Sequence, residues 1–182
     1  MKEALIIIDM IVRDVKSLPN KKEVIQNQLS LIEAFHRTNR KVILVGGAKD
    51  GRDKPTKNKV MLSLWGNEIS KNPEKNKIIP ELLDAKYDKY INKSGYSAFY
   101  KTGLEKYCRE NRISTLYFCG IFSGVCVYFS AADSAMRGIQ PILVTDATTT
   151  DSKKLHQENV KRFVDIIGPA EKTNTTLKKI NG

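Results

Sequence analysis

The chain has 182 residues, 41% hydrophobic and 28% charged, and its 31 Lys and Arg against 20 Asp and Glu give a net charge of +11. A chain of this length buries roughly 70% of its unfolded surface and needs no disulfide or metal staple, so residues 1–182 are read as one domain. No apolar run approaches the ~20 residues of a membrane span, and the run before Asp9 holds only five apolar residues, too few for a signal-peptide core.

Cys108, Cys119 and Cys126 form no CxxC pair, which fits a reducing compartment. The expectation is a soluble, cytoplasmic protein without a membrane partner. The positive charge does not point to nucleic acid. Lys21, Lys22, Arg37, Arg40 and Lys41 flank one helix, Lys49 to Lys59 fill a loop, and no aromatic-rich basic stripe accompanies them. A solvated basic face that helps to attract anionic substrates is the reading adopted.

In chain order, Ala4 to Ile8 is a continuous apolar run ending at Asp9, as a parallel strand covered on both faces requires. Lys21 to Thr38 carries apolar residues at helical spacing, and after Asn39 the run Val42 to Val45 predicts a second strand, completing a βαβ unit. Gly46 to Asn67 reads as a long, polar, basic loop, a lid or a subunit contact, with Met61, Leu62, Leu64 and Trp65 partly docked. Ile78 to Leu82 predicts a short turn, and Tyr87 to Ile91 a third strand leading into Lys93. Ser94 to Tyr100 is a loop, with Tyr96 and Phe99 facing either substrate or the core, and Thr102 caps a helix over Gly103 to Asn111.

Leu116 to Cys119 predicts a fourth strand, Gly120 and Gly124 bracket a tight turn, and Val125, Phe129, Ala132, Ala135 and Met136 recur at helical spacing. Cys126 falls in the first turn of that helix, where free N–H groups and the dipole favour a thiolate. By itself this position admits two readings, a nucleophile or a small buried hydrophobe. Gln140 to Val144 is a fifth strand, Ser152 to Ile166 a helix, Ala170 to Thr173 an edge strand, and Asn174 to Gly182 a tail that frays or forms a short helix.

The alternation predicts a three-layer α/β/α fold with a doubly wound, mostly parallel, Rossmann-like sheet. Ligands bind such sheets beyond the carboxyl ends of the strands. Asp9, Lys93 and Cys126 each follow a strand, so a carboxylate, an ammonium and a thiol gather at one edge. A nucleotide-binding module is disfavoured because no GxGxxG follows the first strand; GGAKDG at Gly46 to Gly51 follows the second and lacks the spacing. A non-catalytic interaction protein keeping the fold is the other alternative.

These residues resemble the isochorismatase-like cysteine hydrolases, relatives of nicotinamidase and N-carbamoylsarcosine amidase. The similarity rests on ALIIIDM with Asp9, LWG at Leu64 to Gly66, IIPEL at Ile78 to Leu82, Lys93 with SGYSAFYKTGL, and CGIFSGVCVYFSAADSAMRG, in that order. The resemblance implies that Cys126 is the nucleophile, Asp9 the general acid/base and Lys93 the third catalytic member. It also implies a cis peptide between Ile121 and Phe122, with the Phe122 and Cys126 N–H groups forming an oxyanion hole. The activity implied is cleavage of a C–N bond in a small amide or ureido compound through a thioester; vinyl-ether hydrolysis, as in isochorismatases that lack the cysteine, is the alternative.

The family's metal site, an Asp-x-His pair after the second strand and a His after Trp-Gly, has no counterpart here. The chain reads Gly46 to Asp53 at the first place and Asn67 and Glu68 at the second. Neither a metal nor another cofactor is therefore expected, and nicotinamide becomes a doubtful substrate. His36 and His156 are expected at the surface, Cys108 and Cys119 as inert thiols, and the chain as a homo-oligomer.

Overall fold

The first strand, β1 (Lys2–Ile8), lies between two parallel neighbours, which is why its sequence is apolar at every position from Ala4 to Ile8. Leu5 and Ile7 point into one hydrophobic cluster, and Ala4, Ile6 and Ile8 into another on the opposite face. That split is the two-residue period of a strand covered on both sides. The computed structural model describes residues 2–52, 59–65 and 71–182, without the side chains of Leu62 and Trp65. Gly66, Asn67 and Glu68 therefore lie outside the described residues.

After β1 come α1 (Val12–Val15), α2 (Lys21–Arg37) and β2 (Lys41–Gly46). The connection onward contains α3 (Lys59–Trp65), α4 (Pro73–Asn76) and α5 (Pro80–Leu83) before β3 (Lys89–Asn92). Next are α6 (Leu104–Glu110), β4 (Ile113–Gly120), α7 (Cys126–Met136) and β5 (Gln140–Thr148). The chain ends with α8 (Lys153–Ile166), β6 (Ala170–Glu171) and α9 (Thr173–Asn181).

The six strands form a sheet in the order β3-β2-β1-β4-β5-β6, parallel throughout, so the expected doubly wound α/β fold is present. Helices α2 and α9 cover one face through Leu31, Phe35 and Ile180, and α6, α7 and α8 cover the other through Leu104, Ala131 and Phe163. Chain order reverses between β1 and β4, which opens a crevice at their carboxyl ends.

Several elements differ from the sequence expectation. The stretch taken as a polar loop contains the helix α3, on which Val60 and Leu64 stand 67% and 58% exposed, so Leu64 does not dock as expected. Strand β5 runs four residues further than predicted, and Asp146 near its end accepts from the Thr173 N–H and hydroxyl, both at 2.7 Å. That contact holds the start of α9, so the tail takes the short-helix alternative of the expectation, docked with Thr176 and Ile180 buried. Among the described residues no helix is long and apolar enough to cross a membrane.

The histidines are only partly exposed. His36 is half-buried and pairs with Asp88 at 3.1 Å. His156 lies partly buried in α8, with Nε2 on the Thr145 carbonyl at 3.0 Å and Nδ1 buried without a partner among the described residues. Burial, the largest influence, holds the His156 pKa below its ordinary value, while the Thr145 contact opposes it. The unfolded chain therefore takes up this proton first, so the contribution to stability is full above about pH 6.5 and is lost as the pH falls toward the folded-state value. Thermal midpoints measured from pH 7 down to 5 should drop less steeply for His156→Gln than for the wild type; identical slopes would contradict this.

Candidate active site

Three strand ends build the site. At the end of β1 the Asp9 N–H donates to the Val45 carbonyl at 2.9 Å and the backbone turns through a left-handed conformation, φ 53°, which aspartate tolerates better than most residues. The end of β4 is tucked against it. Gly120 has φ 115°, and a Cβ there would lie 2.1 Å from the Ile8 carbonyl oxygen, so only glycine fits. The next residue, Ile121, donates its N–H to that same Ile8 carbonyl at 2.9 Å, which sets the turn preceding α7 directly beside Asp9.

Lys93 follows β3, two strand spacings or about 10 Å from β1, a gap that calls for a long side chain. Its N–H donates to the Gly46 carbonyl at 2.9 Å, and its stem carries Nζ over the end of β2. There Nζ lies 2.7 Å from Asp9 Oδ2, 3.4 Å from Cys126 Sγ and 2.9 Å from the Gly95 carbonyl. Asp9, Lys93 and Cys126 are 8%, 7% and 7% exposed, so the cluster is nearly dry. The three residues singled out in the sequence are thus brought together.

The electrostatics differ from the sequence expectation. Cys126 does begin α7, but burial, first, and then the Asp9 carboxylate push its thiol well up, and the downward pull of Lys93 does not compensate. The resting group is a thiol beside a carboxylate, not a preformed thiolate. Lys93 is held charged: burial works against its ammonium, but the Asp9 carboxylate, first, and the Cys126 sulfur that it contacts raise its pKa above the ordinary lysine value overall. A charged ammonium and a carboxylate buried side by side with a neutral thiol can take a proton from sulfur only through Asp9, which lies within hydrogen-bonding reach of it.

The Ile121–Phe122 peptide bond is cis. Among the described residues neither the Phe122 nor the Cys126 N–H has an acceptor, whereas the Val125 and Val127 N–H groups both donate to the Phe122 carbonyl, at 3.0 and 3.3 Å. The loop after Lys93 is tied to α7: Ser97 donates to Asp133 at 2.5 Å, and the Ala98 N–H donates to Ser130 Oγ at 2.8 Å. Sequence reading missed these ties, because Ser130 and Asp133 are separated from the loop by more than 30 residues. Phe99 is buried under Arg137, and Tyr96 stacks on Phe129 with ring centroids 5.5 Å apart. Cys108 and Cys119 are buried away from the cluster, and desolvation pushes the Cys108 thiol to about 12 and Cys119 well up. Among the described residues no group of three His, Cys, Asp or Glu side chains converges on a metal position.

Fold and site together define a doubly wound α/β protein with a buried thiol, carboxylate and ammonium at its topological switch point. The chain belongs to the isochorismatase family, whose Isochorismatase domain matches residues 3–175. It is 27% identical over 146 residues to enterobactin synthase component B of Escherichia coli K12, which covers 80% of this chain and 50% of that protein. The chain thus spans about half the length of that relative. It is 27% identical to the uncharacterized isochorismatase family protein YwoC of Bacillus subtilis, over 98% of this chain and 94% of the relative. Among solved structures it superposes with a TM-score of 0.88 on a cysteine hydrolase from Pseudomonas syringae pv. phaseolicola, 18% identical, covering 99% of this chain and 92% of the other. N-carbamoylsarcosine amidase from Thermoplasma acidophilum gives 0.80 at 24% identity, covering 95% and 97%.

Proposed function

We propose that the protein is a cysteine-dependent hydrolase that cleaves a C–N bond in a small amide or ureido compound, with Cys126 as nucleophile, Asp9 as general acid/base and Lys93 holding both. The observation that carries this is the single ammonium of Lys93 joining the Asp9 carboxylate at 2.7 Å to the Cys126 sulfur at 3.4 Å in a nearly dry pocket. The resemblance to an N-carbamoylsarcosine amidase in fold, and the presence of a cysteine at the start of α7, agree with acyl transfer.

The steps follow from the protonation states. Asp9 takes the Sγ proton as sulfur attacks the carbonyl carbon, so the thiolate is never a free resting species. The carbonyl oxygen, now negative, is received by the N–H groups of Phe122 and Cys126, which have no acceptor among the described residues. Asp9 returns the proton to the leaving nitrogen as the C–N bond breaks, leaving a thioester on Cys126. A water that Asp9 deprotonates then attacks the thioester, releasing the acid and regenerating the thiol. Lys93 holds the Asp9 carboxylate in place through these transfers, with Nζ 2.7 Å from Oδ2. An ammonia-release screen over small amides, carbamoyl compounds and nicotinamide tests the reading; release from none of them would remove the amidohydrolase assignment.

Homo-oligomerisation is part of the same proposal, because Val60 and Leu64 leave apolar surface on α3 open to solvent. Sedimentation at micromolar concentration should give a mass above that of one 20.6 kDa chain; a monomeric mass would refute it.

A further inference from the structure

The five residues between the Ile121–Phe122 bond and Val127 decide where the Phe122 and Cys126 N–H groups point, and three contacts from outside hold this turn. The Ser123 N–H donates to the Thr149 carbonyl at 3.0 Å, and the Thr149 N–H donates to the Gly120 carbonyl at 3.1 Å. Both are main-chain bonds made whatever the side chains. The third is chosen by sequence: Asn159 Nδ2, from α8, donates to Ser123 Oγ at 3.0 Å. Ser123 is 1% exposed, so this amide supplies a partner that water does not.

Asn159 also fits against the neighbouring residue. A Cβ on Gly124 would lie 2.6 Å from Asn159 Nδ2 and 2.8 Å from its Oδ1, so the amide occupies the space that a side chain at position 124 would take. Its own position is fixed, because α8 is capped by Ser152 at 3.2 Å, bound to β5 through His156 and Thr145, and anchored by the fully buried Phe163. Asn159 therefore braces, from a rigid helix, the short segment that separates Phe122 from Cys126.

We infer that Asn159 is a positioning residue for the oxyanion site: through Ser123 and Gly124 it holds the Phe122 and Cys126 N–H groups where the negative oxygen forms. The inference rests on the function proposed above. Asn159 itself touches neither the thiol nor the carboxylate, so its removal should slow reactions that build an oxyanion and spare those that do not.

Two probes of the same sulfur separate these cases. p-Nitrophenyl acetate forms an Sγ–C bond and breaks a C–O bond; nitrophenolate leaves with the electron pair, the thiol proton passes to Asp9, and the carbonyl oxygen is negative in between. Iodoacetamide forms an Sγ–C bond as iodide leaves and the thiol proton passes to Asp9, with no oxyanion. Removing an oxyanion donor outright costs about 100-fold or more, and displacing the donors should cost at least ~10-fold. Asn159→Ala should therefore lower Cys126 acylation by at least that factor with iodoacetamide alkylation unchanged. Ser123→Ala, which removes only the acceptor, carries the same expectation should Asn159→Ala lose its circular-dichroism spectrum. The double variant should be no slower than either single one. Unchanged acylation, or acylation and alkylation falling together, overturns this inference while leaving the proposed function standing. Wild-type protein that is not acylated at Cys126 overturns both.

Discussion

Cys126→Ala and Asp9→Asn should each lower kcat by at least ~100-fold on whatever amide the protein turns over, the low end for loss of a general acid/base and less than expected for loss of a nucleophile. The reason lies in the resting state. Burial and the Asp9 charge hold the Cys126 thiol protonated, so sulfur has no nucleophilicity until Asp9 accepts its proton. Without the carboxylate the thiol is inert; without the thiol the carboxylate has nothing to activate. The double variant should thus be little slower than Cys126→Ala alone, because the groups act as one unit. Additive losses, measured by ammonia release with circular dichroism confirming the fold, would separate the two residues into independent roles.

Lys93→Met should cost both stability and activity. The ammonium and the Asp9 carboxylate are buried together at 2.7 Å, and removing one partner of such a pair leaves an uncompensated charge at a cost of about 3–5 kcal/mol. In a chain of this size that corresponds to a fall in Tm of roughly 6 °C or more. Asp9→Asn/Lys93→Met, which removes both charges, should recover most of the loss while remaining inactive. Because the folded-state pKa of Lys93 is raised, the contribution of the pair is fully present below about pH 10.4 and is lost only as the pH rises through that raised value. Tm measured across neutral pH should therefore show no loss from this group. A Lys93→Met protein as stable as the wild type would show that the pair is not held as the structure has it.

The fold and the three clustered residues were legible because each rests on a local pattern. The run from Ala4 to Ile8 can only be a strand buried on both faces, and the Gly120 to Gly124 turn before an apolar helical repeat marks the start of α7. What escaped depends on tertiary surroundings. Cys126 at a helix start suggested a depressed pKa, but burial and Asp9, brought from 117 positions away, reverse the sign. His36 and His156 carry no motif that pairs them, yet Asp88 and Thr145 meet them from other elements. Helix α3 was hidden in a lysine-rich stretch, and α9 docks because Asp146 holds its start across 27 residues. The contact of Asn159 with Ser123 has no sequence signal, since the two are joined only by the packing of α8 on the turn.

The most direct test of the account is the covalent intermediate. Wild-type protein and Cys126→Ala are mixed with an amide or carbamoyl compound that releases ammonia, quenched in acid within the first turnover and measured as intact mass and as peptides. The account predicts one added acyl group per wild-type chain, carried by the peptide containing Cys126, and neither adduct nor ammonia from Cys126→Ala. A folded Cys126→Ala protein that releases ammonia at the wild-type rate, or an acyl group carried by any other residue, would contradict it.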